Sequence, residues 1–209
     1  MSFLSKPAIV RKLPVQARSM ATIAVLHTAV IHVLTREGLG HCTTTRIARR
    51  AGVSVGTIYQ YYPNRDVLLA AVLERHLDAF SASVIGACKE AAGKPIAEMT
   101  RHLVEVLLRL KMSDPQEAAV LYAVAAEKTG KNIALTIHNM MLPAIAETLR
   151  SAPDAQFEHL SVTAEVFLSI FLGLPRTMLE GYGSAEFTAC LSTQLETALL
   201  AYLNAVSTK

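Results

Sequence analysis

The sequence predicts an all-α protein, an N-terminal three-helix part with a helix-turn-helix and a longer C-terminal helical part. Three observations carry that expectation. Hydrophobic residues make up 52% of the 209 residues but aromatic ones only 6%, a balance that suits Ala- and Leu-rich helices better than strands. Apolar residues recur at helical spacing along most of the chain. Glycine and proline are sparse and fall between the periodic segments, cutting them into helix-sized pieces. A chain of this length can bury a sizeable core, as one large domain or two small ones.

Residues 1–16 read as an N-terminal arm, with Pro7 and Pro14 among the cations Lys6, Arg11 and Lys12. Such an arm either lies along a nucleic-acid groove or is a loose terminus. Residues 15–37 form the first helix, burying Ile23, Leu26, Val30, Val33 and Leu34, with Gly38 and Gly40 ending it. Its stretch free of Asp, Glu, Lys and Arg, residues 19–35, contains His27 and His32 and falls short of the ~20 mostly apolar residues a membrane span needs. It is read as the core helix of a soluble, cytoplasmic protein with no membrane partner. The N-terminus shows no signal-peptide pattern. Cys42, Cys88 and Cys190 are odd in number and far apart, which suits free thiols in a reducing compartment.

Residues 44–51 form a short second helix with Ile47, Ala48 and Ala51 on one face and Arg46, Arg49 and Arg50 outside. Gly52 suits a left-handed helix end and Ser54 an N-cap, so a third helix follows after a sharp turn. This third helix, residues 55–62, buries Ile58 and one tyrosine and leaves Val55, Gly56, Thr57, Tyr59, Gln60 and Tyr61 facing outward. An outer face with no Glu or Lys, a glycine that admits close approach and aromatic hydroxyls suits entry into a DNA groove. Charge agrees with this. Residues 1–75 carry 10 Lys/Arg against 3 Asp/Glu, net +7, and residues 76–209 carry 10 against 14, net −4. The basic excess lies where a polyanion would be met.

The run Thr44-Thr45, Ile47-Ala48, Ala51-Gly52-Val53-Ser54, Gly56-Thr57-Ile58-Tyr59, Tyr61-Tyr62, Asn64-Arg65 and Leu68-Leu69 resembles the DNA-binding domain of the TetR family of transcriptional regulators. Arg65 stands where that family more often has Lys; both are cationic, so a phosphate contact survives in principle. The residues themselves suggest a division of labour. Thr45 at a helix N-terminus suits a phosphate, Thr44 is counted with it among the DNA-binding residues, and Tyr61 and Arg65 would hold the same backbone. Base edges would then be met by Arg46, Val55, Gly56, Thr57, Tyr59 and Gln60.

The resemblance further implies a homodimer paired through the last two helices, a palindromic operator, and a small apolar effector whose binding releases a repressor from double-stranded DNA. It also implies that the fourth helix, residues 64–92, couples effector to DNA. The rest of the chain reads as helices over residues 96–111, 115–129, 132–151, 154–180 and 184–205. Pro143 and Pro175 fall inside two of them, where each removes a backbone hydrogen bond and should bend its helix. Domain bounds are therefore set at residues 1–16 for the arm, 17–66 for DNA binding and 67–209 for effector binding and dimerisation.

Two features of the C-terminal part stay open on the residues alone. Apolar stripes run along the last two helices, Leu160, Ala164, Phe167, Leu168, Phe171 and Leu172 on one and Phe187, Leu191, Leu195, Ala198, Leu199 and Tyr202 on the other; they serve either an internal core or a second copy. Leu103, Leu107, Met112, Tyr122 and His138, with Met141, Phe167, Phe171 and Met178, are candidate effector contacts. The same pattern is what an ordinary core shows, although Met suits an adaptable lining. Catalytic signatures are missing: there is no G-x-S-x-G, Walker A or H-E-x-x-H, and the seven His are scattered. The expectation is a regulator without cofactor or metal. Its rivals are a DNA-binding dimer without an effector and a helical-bundle enzyme.

Overall fold

The computed structural model describes residues 17–209; the arm expected over residues 1–16 lies outside the described residues. Among them the fold is all-α: α1 (Ala17–Glu37), α2 (Thr44–Ala51), α3 (Val55–Tyr61), α4 (Arg65–Ala91), α5 (Ile96–Ser113), α6 (Pro115–Ala126), α7 (Lys128–Arg150), α8 (Leu160–Leu179) and α9 (Ala185–Val206), with a 3-10 turn at Leu39–His41. The residues group into two compact units. The first comprises residues up to His76 together with Val120–Thr136, and the second Leu77–Ala119 and Ile137–Lys209. The division falls inside α4, α6 and α7.

In the first unit α1 packs on α2 and α2 on α3. Leu26, Val30, Val33 and Leu34 of α1, Ile47 and Ala48 of α2 and Ile58 of α3 are all buried. Gly52 ends α2 at φ 68°, and its N–H reaches back to the Ala48 and Arg49 carbonyls, the left-handed termination that a side chain would disfavour. Gly130 has a different reason. A Cβ there would lie 2.2 Å from the Val124 carbonyl oxygen, so only glycine lets α7 start two residues after α6 ends. The break expected between residues 129 and 132 lies instead at Glu127, and Gly130 is inside α7, where it supplies close approach and not a positive φ.

The second unit is held by α8 on α9, α5 on α9 and α5 on α8. Ala164, Phe167, Leu168 and Phe171 face Leu191, Leu195, Leu199 and Leu203 in a closed core, and the Phe167 and Phe171 rings stack with centroids 5.8 Å apart. The stripes of the last two helices are thus consumed inside the chain. Leu160, Leu172, Phe187, Ala198 and Tyr202 sit at its half-buried edge. On the other face of these helices Val162 is 56% exposed.

The start of α8 also differs from expectation. Residues 154–159 are not helical, because Asp154 serves α5: its Oδ1 accepts from the Ile96 N–H at 3.0 Å. Pro95 precedes that helix and makes no side-chain cap of its own, so the cap comes from a distant residue. The same segment pairs Phe157 with Ser207 in an isolated β-bridge, tying the chain's end back to it.

By length and composition, residues 19–37 of α1 and all of α8 reach what a membrane span needs. Each instead turns one apolar side into the core of its own unit.

Candidate nucleic-acid interface

The turn between α2 and α3 is built from directional contacts. Thr43 caps α2, its Oγ1 accepting from the Arg46 N–H. Ser54 caps α3, accepting from the Thr57 N–H at 3.0 Å, while its hydroxyl also pairs with that of Thr57 at 2.9 Å. These caps satisfy N–H groups that each helix start leaves open. Beneath them His27 Nε2 and the Tyr62 hydroxyl share a buried hydrogen bond of 2.8 Å. Burial, with the Arg75 charge adding to it, lowers the His27 pKa to about 4, and burial pushes the Tyr62 phenol up to about 12. Both therefore stay neutral at ordinary pH.

The outward face left by this packing is small and uncharged. Gly56, Tyr59 and Gln60 are exposed and Val55 and Thr57 half-buried, with Tyr59 at 44%. Thr45 is exposed and Thr44 half-buried at the start of α2, and Arg49 and Arg50 are exposed near its end. No acidic side chain lies within α2 or α3. A surface of this kind can meet a polyanion without repulsion and present hydroxyl, amide and methyl groups to base edges.

Three expected contacts are placed elsewhere. Tyr61 does not stand outward; it is only 8% exposed, because Ile58, Tyr61 and Tyr62 at helical spacing all share the core side of this short helix. Arg46 pairs with Glu37 at the end of α1, so its guanidinium is not held ready for guanine. Arg65 is a clasp rather than an open phosphate contact. Its Nε donates to the Cys42 carbonyl at 2.5 Å and its Nη2 to the Leu39 carbonyl at 2.7 Å, so the first residue of α4 grips the turn that precedes α2. A lysine could not make both bonds in that planar fork. The exposed cations Arg49 and Arg50, not singled out among the three arginines of α2, are left on the surface.

The effector candidates scatter. Leu103, Leu107, Met141, Phe167 and Phe171 are buried in the second unit, and His138 and Met178 are half-buried there. Tyr122, also half-buried, belongs to the first unit. Met112 is 38% exposed, because the buried stripe of α5 runs from Leu103 and Leu107 to Lys111, which is 5% exposed. Four residues past Leu107 the helix returns to its inner face; five residues past, it has turned away. Among the described residues no group of His, Cys, Asp and Glu is arranged to hold a metal ion.

Comparison with known proteins supports the helix-turn-helix geometry. Residues 28–72 match the family "Bacterial regulatory proteins, tetR family", and residues 95–203 match "Tetracyclin repressor-like, C-terminal domain". The chain is 25% identical over 118 residues to the nucleoid occlusion factor SlmA of Glaesserella parasuis, an alignment covering 56% of each chain. The chain thus spans little more than half the length of that relative. It is 25% identical over 197 residues to the uncharacterized HTH-type transcriptional regulator Mb2936c of Mycobacterium bovis, covering 86% of this chain and 97% of that one. In fold it resembles the multidrug binding protein EbrR, solved with imidazole, at a TM-score of 0.65 and 17% identity, over 87% of this chain and 94% of that one. With both halves matched, the second over more than half of its length, the chain belongs to the TetR family of transcriptional regulators.

Proposed function

We propose that the protein is a cytoplasmic homodimeric repressor that binds a palindromic operator and leaves it when a small, largely apolar effector binds. The observation that carries the DNA-reading part is the exposed, acid-free face of α3, with Gly56, Tyr59 and Gln60 open to solvent. In this reading Val55, Gly56, Thr57, Tyr59 and Gln60 enter the major groove and meet base edges. Thr44 and Thr45 meet a phosphate at the α2 N-terminus, Arg49 and Arg50 add charge, and Arg65 holds the turn in place. Tyr61 contributes by packing under α3, with any phosphate contact confined to the tip of its ring.

The effector part rests on the apolar interior of the second unit, with Leu103, Leu107, Met141, Phe167 and Phe171 as the surrounding side chains, and on the family's C-terminal domain. Ligand binding by EbrR, as its description states, supports the same reading. α4 has residues in both units and is the element through which an effector would alter the spacing of two reading heads. Such coupling is of order 1–3 kcal/mol in regulators of this kind. Dimerisation is assigned to the outer faces of α8 and α9, since their inner faces are filled.

The test is selection of duplexes from a random pool by the full chain, followed by measurement of stoichiometry on the enriched sequence. The expected result is a two-fold symmetric motif bound by two chains, with half-sites about one helical turn or a multiple apart. Enrichment of no sequence, or of an asymmetric site bound by one chain, would overturn it.

A further inference from the structure

Glu37 is the last residue of α1 and Arg46 lies in the first turn of α2, and their side chains form an ion pair across the turn that joins the two helices. Each charge stands at the wrong end of its own helix. The C-terminus of a helix disfavours an acid and the N-terminus disfavours a cation, so neither side chain is placed to favour the helix that carries it. Among the described residues each is the other's only ion-pair partner. Glu37 and Arg65 both act on the Cys42 thiol, but the Arg65 guanidinium is already committed to the Leu39 and Cys42 carbonyls and to Asp66. Arg46 is the cation that Glu37 holds.

The pair is open to water. The Arg46 side chain is 39% exposed and that of Glu37 33%. An ion pair so placed adds little to the stability of a fold, because water screens it and two long side chains lose freedom in making it. A stronger partner can therefore draw the two apart.

What the pair does change is the charge that the start of α2 offers to DNA. Arg46 directly follows Thr44 and Thr45, where the reading above sets a phosphate, and α2 carries no acid of its own. Arg49 and Arg50, one turn further along, are exposed. Of the three arginines of α2, Arg46 alone is held by an acid among the described residues. A carboxylate occupies a guanidinium in the same way as a phosphate oxygen does, through charge-assisted N–H bonds. Glu37 thus stands in the place of a backbone phosphate.

We propose that Glu37 is an affinity-limiting residue: it competes with the DNA backbone for Arg46 and keeps that guanidinium out of the phosphate contacts made by the start of α2. The inference rests on the DNA-reading function above and adds the residue that sets how much sequence-independent attraction the chain uses. Phosphates carry no sequence information, so the limit applies to selected and scrambled duplexes alike.

The test measures the affinity of the full chain for the selected duplex and for a scrambled one across a salt series. Glu37→Gln, Glu37→Ala, Arg46→Ala and the combination of Glu37→Gln with Arg46→Ala are compared with the original chain. Glu37→Gln should bind both duplexes about three- to tenfold tighter at about 0.1 M salt, with a salt slope steeper by about one, the mark of one added phosphate contact. Glu37→Ala should do the same, which preserves the comparison if one of the two variants folds poorly. Adding Glu37→Gln to Arg46→Ala should bring no gain, since without Arg46 there is nothing for Glu37 to withhold.

Three results would overturn the proposal and leave the DNA reading standing: no tightening in either Glu37 variant, tightening without a steeper salt slope, or an equal gain when Arg46 is already replaced, which would reduce Glu37 to plain repulsion of DNA. A gain confined to the selected duplex would also overturn it, by making Arg46 a reader of bases. An original chain that selected no duplex at all would remove the DNA reading and this inference with it.

Discussion

The two units of this chain are both helical, yet different physics specifies them. In the first, directional contacts fix the angle between short helices: the Gly52 left-handed end, the Thr43 and Ser54 caps, the Arg65 fork on the Leu39 and Cys42 carbonyls, and the buried His27–Tyr62 bond. In the second, interdigitated apolar volume dominates, with Phe167, Phe171, Leu195, Leu199 and Leu203 almost wholly buried. A groove-reading helix must be held to a narrow range of angles, which hydrogen bonds with strict geometry achieve. An apolar interior instead tolerates repacking at modest cost. The contrast suits the proposed function, in which one part recognises a fixed partner and the other responds to a small one.

The largest expected effect lies in the second unit. Phe171→Ala removes a fully buried ring stacked on Phe167 and should cost about 3–5 kcal/mol in denaturant unfolding. A loss below about 1 kcal/mol would mean that this core collapses readily around a gap, and that volume is not what specifies it.

The next tests the first unit through pH. The fold holds His27 neutral, at about 4 against an ordinary 6.5. Between those values the unfolded chain binds the proton more readily, so the contribution is complete above pH 6.5 and is lost as pH falls toward 4 and below. The loss is of the order of 3 kcal/mol. His27→Gln, which can still pair with Tyr62, should flatten stability between pH 6.5 and 4; an unaltered slope would assign the acid sensitivity to other groups.

Arg65→Lys follows. It keeps the charge but loses the fork, and should lower stability by about 2 kcal/mol while leaving the salt dependence of DNA binding nearly intact. Unchanged stability in Arg65→Lys would mean that the fork does not hold the turn, and a salt slope reduced by about one in Arg65→Ala would make Arg65 a phosphate contact after all.

How much of this could be read in advance follows the same contrast. Gly52 and Ser54 act on neighbours within a few residues, and their roles were legible from local chemistry alone. So were α2 and the phase of α1. Arg65 was recognised as a cation but not as a clasp, because its partners lie 23 and 26 residues away. Asp154 looked like a helix start for the same reason; the N–H it caps is 58 residues distant. Tyr61 was placed outward because only one buried tyrosine was expected, and the helix is too short for periodicity to show that Tyr61 and Tyr62 both lie inside. Met112 was expected on the apolar face of α5 and Lys111 was not, since a lysine on an apolar stripe is ordinarily assumed to reach solvent.

The central claim is that the uncovered face of α3 reads sequence, and one measurement addresses it most directly. The double variant Tyr59→Ala, Gln60→Ala changes two exposed side chains and should alter stability by no more than about 0.5 kcal/mol. Its affinities for the selected duplex and for a scrambled one would be compared with those of the original chain across a salt series. Loss of the preference for the selected duplex, with non-specific affinity and salt slope retained, is the result expected. Undiminished preference in this variant would contradict the assignment of sequence reading to α3.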